Sequence, residues 1–64
     1  MVKTTKRGEL DNTITYDHFC DTVEDLQNID NQYINLGSTA TVLSGENGLE
    51  IYIANSNKEW ILIS

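Results

Sequence analysis

The chain has no proline, one cysteine, one histidine and only four basic residues in its 64. Without proline it offers no polyproline ligand segment. Cys20, alone, forms no internal disulfide, and with His18 as the only histidine the nitrogen and sulfur ligands fall short of the four a structural zinc site normally takes. No run approaches the roughly 20 apolar residues of a membrane-spanning helix. Ten acidic residues against four basic give a net charge of −6, the wrong sign for binding nucleic acid or an anionic membrane. Neither is expected as a partner, and no cofactor or small-molecule substrate is implied. The segment after Met1, Val2-Lys3-Thr4-Thr5-Lys6-Arg7-Gly8, is polar and basic rather than a secretory leader, and one free cysteine suits a reducing cytoplasm.

What is present describes a soluble, folded chain: 39% of residues are hydrophobic and 22% charged. One small domain is the expectation, since chains usually need about 100 residues or more before a core divides. A folded chain of this mass exposes on the order of 4,000 Å² of about 10,000, so the core is marginal. Domains this small usually add disulfides, a metal or subunit contacts, and only the last is open here. Oligomerisation or attachment to a larger assembly is therefore expected. Three of the four basic residues, Lys3, Lys6 and Arg7, stand at one end of an otherwise acidic chain, as a solvated terminus or as an arm docking on an acidic neighbour.

Residues 1–12 show neither helical nor strand period and read as a polar, basic N-terminal arm, leaving residues 13–64 as the domain. Thr13 to Cys20 alternates as a strand, with an edge position fitting its half-apolar faces. From Asp21 to Asn28 the period changes. Asp21 suits an N-cap, Glu24 its capping-box partner, and Val23, Leu26 and Ile29 share one face of a two-turn helix. Gly37 is expected to supply a backbone angle other residues resist. Thr39 to Leu43 reads as a strand, Asn47-Gly48 as a tight hairpin turn, and Leu49 to Ile53 as a strand with Leu49, Ile51 and Ile53 inward against Val23, Leu26 and Ile29. Asn55 to Lys58 is a second turn. Glu59 to Ile63 closes a three-stranded antiparallel meander. In that last strand Trp60 with Leu62, and Ile61 with Ile63, demand cover on opposite faces, whereas one helix covers only one. The expected fold class is α+β: arm, strand, short helix, three-stranded meander.

Catalytic chemistry has few footholds. His18 and Cys20, two apart on a strand, share a face and could pair, with Cys20 just before the helix start; a small buried cysteine beside a half-exposed histidine is the plainer reading. Asp17, Asp21, Glu24 and Asp25 cluster around the helix start but lack the glycine and alternating ligands of a calcium loop, and helix capping accounts for most of them. Gly45-Glu46-Asn47-Gly48 lacks the lysine and following helix of a phosphate loop. Tyr16, Phe19, Tyr33, Tyr52 and Trp60 suit core or subunit contact better than base stacking in so acidic a chain. A non-enzymatic protein is expected.

The ordered succession Thr22-Val-Glu-Asp-Leu-Gln-Asn-Ile29, Leu36-Gly-Ser-Thr-Ala40, Val42-Leu-Ser-Gly45 and Gly48-Leu-Glu-Ile-Tyr-Ile-Ala-Asn-Ser-Asn-Lys-Glu-Trp60 resembles a family of short tailed-bacteriophage proteins. Their chains close on Tyr-x-x-Asn-Ser-x-Lys-x-Trp, here Tyr52 to Trp60. The resemblance runs from Thr22 to Ile63 and leaves the arm outside. It implies a virion-associated structural protein, of capsid-decoration, head-fibre or connector-associated type, assembled in the bacterial host cytoplasm and contacting other virion proteins and itself. It supplies no catalytic residues. The interface is expected at Trp60, Ile61, Leu62, Ile63 and Tyr52, with Lys3, Lys6 and Arg7 on the arm. The alternative is a small acidic inhibitor or adaptor occupying a basic site on a host protein.

Overall fold

The N-terminal segment is a strand, not an arm, in the computed structural model, which describes residues 1–10, 12–46 and 48–64. Strand β1, Val2–Leu10, pairs antiparallel with β2, Thr13–Thr22, through a hairpin that closes at Leu10 and Thr13 with Asn12 at φ 67°. A left-handed Asn in so short a link is a recognised hairpin device. β2 then runs parallel to β3, Thr39–Gly45, and β3 pairs antiparallel with β4, Gly48–Ala54, which pairs antiparallel with β5, Trp60–Leu62. One mixed sheet of five strands results, in the order β1-β2-β3-β4-β5.

This architecture corrects the α+β expectation. The C-terminal strands form one side of the mixed sheet and not a separate three-stranded meander, and β2 lies between β1 and β3 rather than at an edge. No α-helix forms over Asp21 to Asn28. The segment is a 3-10 turn, Val23–Asn28, followed by a second, Asn31–Tyr33. Two turns are too short to hold an α-helix by themselves, and the link between the parallel strands must instead place separate anchors on the sheet. Its N-cap is Thr22, not Asp21, and Asp25 rather than Glu24 is the reciprocal partner. The Asp25 carboxylate accepts the backbone N–H groups of Asp21 and Thr22 at 3.1 and 3.2 Å, and also the Met1 amino group at 2.8 Å. The start of β1, the end of β2 and the crossover thus meet on one side chain.

Among the described residues the crossover lies on one face of the sheet, and the buried apolar core is on that face. Cys20, Ala40, Val42 and Ala54 rise from the sheet beneath Ile29 and Ile34, with Val2, Leu26, Tyr33, Tyr52 and Trp60 packed around them. Because β4 is in register with Ala40 and Val42 through Tyr52 and Glu50, its covered face carries Glu50, Tyr52 and Ala54. The expectation that Leu49, Ile51 and Ile53 point inward is reversed: Leu49 is 58% exposed and Glu50 only 6%. Gly48 has the expected positive φ, 92°, and Gly37 likewise, 88°; Asn47, read as the other half of that turn, lies outside the described residues. Lys58 fixes the far end of the crossover, its ammonium donating to the carbonyls of Asn31 and Ile34 and to Asn35 Oδ1 at 2.9 to 3.3 Å.

Candidate functional site: the open face of the sheet

Strand register assigns the second face. Lys3 pairs with Phe19, Phe19 with Thr41, Thr41 with Ile51, Thr39 with Ile53 and Ile53 with Ile61, so these side chains share one side. The alternation within β3, β4 and the chain end adds Leu43, Leu49 and Ile63. No described element covers them. Phe19, Leu43, Leu49, Ile61 and Ile63 are between 45% and 58% exposed, and Ile51 and Ile53 are half-buried between them. At one end Met1, Lys3, Phe19, Asp21 and Leu43 line a shallow, mainly apolar depression of about 230 Å³. At the other, Arg7 donates to Asp17 Oδ1 at 3.0 Å and to the Gly37 carbonyl, and Thr39 donates to the same Asp17 oxygen at 2.7 Å.

The residues read from the sequence as an interface divide between the two faces. Ile61, Ile63 and Lys3 lie on the open face, and Arg7 is held at its end by Asp17. Trp60 and Tyr52 lie on the covered face, half-buried: the Trp60 indole meets the His18 ring edge-on at 5.8 Å, and the Tyr52 hydroxyl donates to Glu50 at 2.8 Å. That carboxylate raises the Tyr52 phenol above its ordinary range. Leu62, opposite Tyr52, and Lys6, opposite Tyr16, project exposed from the outer strands on the covered side. The larger part of the apolar face, Phe19, Leu43, Leu49, Ile51 and Ile53, was not among the expected contacts. Its signal was the alternation of β4, assigned to the wrong side.

The covered face holds the polar groups that could suggest chemistry. His18 is fully buried, with Nε2 2.7 Å from the Tyr33 carbonyl and Nδ1 2.8 Å from the Thr4 hydroxyl. A carbonyl only accepts, so Nε2 carries the proton and Thr4 donates to Nδ1. Burial holds the imidazole pKa below its ordinary 6.5, opposed by the Tyr33 carbonyl and the Asp17 charge. Cys20 shares this face but is 1% exposed, and burial, with the Asp25 and Asp21 carboxylates, pushes its thiol up against a lowering effect of the Met1 amine. Both imidazole nitrogens are engaged and the thiol is kept protonated, so the pair is not arranged as a thiolate nucleophile. Among the described residues no three His, Cys, Asp or Glu side chains are grouped to hold a metal ion, and no helix is long and apolar enough to cross a membrane.

Comparison with models of protein families, with characterised proteins and with solved structures finds no match to this chain.

Proposed function

We propose that this chain is a non-enzymatic structural subunit of a tailed-phage particle, of capsid-decoration, head-fibre or head-tail associated type, held in place by contacts with virion proteins and with its own copies. The observation that carries the reading is the open face. Five large apolar side chains, Phe19, Leu43, Leu49, Ile61 and Ile63, stand about half exposed on one continuous side of a sheet whose opposite side is fully furnished with a core. Apolar surface of this extent on so small a chain marks a protein-protein contact. The resemblance of Thr22 to Ile63 to short phage proteins supplies the kind of assembly. The acidic crossover lies on the opposite side of the sheet and is left outward by a contact at this face. The test is purification of intact virions from an infected host, followed by mass spectrometry of the particle. The chain is expected in fixed stoichiometry with the major capsid or tail protein through a density gradient. Its confinement to the soluble lysate overturns the reading.

A further inference from the structure

We infer that the open face is closed by a second copy of this chain, two sheets stacking face to face as a β-sandwich; this deepens the reading of that face as a subunit interface and rests on it. Area comes first. The two longer dimensions of the molecule are 34 and 20 Å, matching strand length and the breadth of five strands. Each copy therefore offers up to about 600 Å², and two bury on the order of 1,200 Å², which clears the roughly 1,000 Å² a specific interface needs. A single helix, about 10 Å across, covers only half that breadth. Strand addition at an edge covers none of it. A sheet of the same width covers all of it.

Charge selects the same occupant. The chain carries −6, but the strand positions that reach this face contribute Lys3 and Arg7 against Asp17 and Asp21, which cancel. Two copies meet here with no net like charge facing across the seam, and a basic partner finds no net acidic charge to pair with. Relief agrees as well. Thr39, Thr41, Ile51, Ile53 and Ile61 are β-branched and form the low surface on which sheets interdigitate about 10 Å apart. The depression between Lys3, Phe19 and Leu43 accepts a single aliphatic side chain from the facing sheet.

Sedimentation equilibrium of the full chain up to about 100 µM tests the inference, beside Leu49→Lys and Ile61→Lys on the open face and Leu36→Lys, exposed but in the crossover, as the control. The unaltered chain and Leu36→Lys are expected as dimers, and the two open-face variants as folded monomers with self-association weakened at least about tenfold. The melting temperature of the unaltered chain should also rise with its concentration, a readout that depends on no variant. A monomer at the highest concentration, or a dimer indifferent to both open-face lysines, overturns the inference. A monomer that still co-purifies with virions overturns the dimer and leaves the subunit reading standing. A lysine-sensitive dimer absent from virions does the reverse.

Discussion

His18 is the side chain on which the fold's tolerance of acid turns. Its ring is fully buried, protonated at Nε2 toward the Tyr33 carbonyl, and held below its ordinary pKa by burial. In the unfolded chain it takes up a proton as pH falls through about 6.5, whereas the folded chain resists until lower pH. Between those values the unfolded state binds more protons, so stability is complete at neutral pH and declines as pH falls below about 6.5. Asp25 adds a separate loss in stronger acid. The Met1 amine, then the Thr22 N–H, hold its carboxyl below the usual 3.8, and that contribution goes as the group is protonated. Thermal melts followed by circular dichroism across pH should therefore show two declines. His18→Gln should remove the upper one and leave the lower, and an upper decline that survives the substitution would assign it to another group.

At the scale of elements, the β3–β4 hairpin is shaped by the inward turn of Glu50. A Cβ at Gly45 would lie 2.5 Å from the Glu50 carboxyl carbon and 2.7 Å from its Cγ, so any larger residue there displaces the side chain packed over it. Gly45→Ala must push the buried carboxylate off the Tyr52 hydroxyl, an overpacking cost of about 1–3 kcal/mol. In a Glu50→Ala background nothing remains to be displaced, and the coupling should amount to about 1 kcal/mol or more. Denaturant unfolding of the four chains measures it, and equal costs in both backgrounds would show that Glu50 does not set the requirement. The same hairpin marks what the sequence made legible. The period of β4, its ends and the glycine angle at 48 were readable, because alternation and turn chemistry are local. Which alternate set faced the cover was not. Leu49, Ile51 and Ile53 are the more apolar set, but register with Ala40 and Val42 places Glu50, Tyr52 and Ala54 under the crossover, and register is a property of the partner strands. β1 was missed for a related reason: Thr4 and Lys6 look like a tail until β2 stands beside them. The crossover read as a helix because Val23, Leu26 and Ile29 have helical spacing, which two 3-10 turns with separate anchors satisfy equally well.

For the whole molecule the consequence is a sheet furnished on one side. Small residues make that side work: Ala54 and Ala40 lie between Trp60 on β5 and His18 on β2, leaving the indole room to reach across to the imidazole. The bulk that a second core would need is placed instead on the open side, in Phe19, Leu43, Leu49, Ile61 and Ile63. The sequence did expose the imbalance, since Ile61 and Ile63 demanded cover that one short crossover could not give; what it hid was how much of β2, β3 and β4 joins them. Burial of that face contributes through apolar area, about 25 cal/mol per Å², and area burial is insensitive to moderate salt. The charges that reach the face cancel, while the rest of the chain carries the net −6. Association between copies through this face should therefore change less than about threefold between roughly 50 and 500 mM salt, whereas an acidic inhibitor seated on a basic host site would weaken steeply over the same range, as paired surface charges are screened. Sedimentation equilibrium of the chain across that series measures it. A steep loss of association with salt would place charge pairs rather than apolar area at the contact, and would favour the inhibitor, for which the crossover exposes Glu24 and Asp30, over the structural subunit.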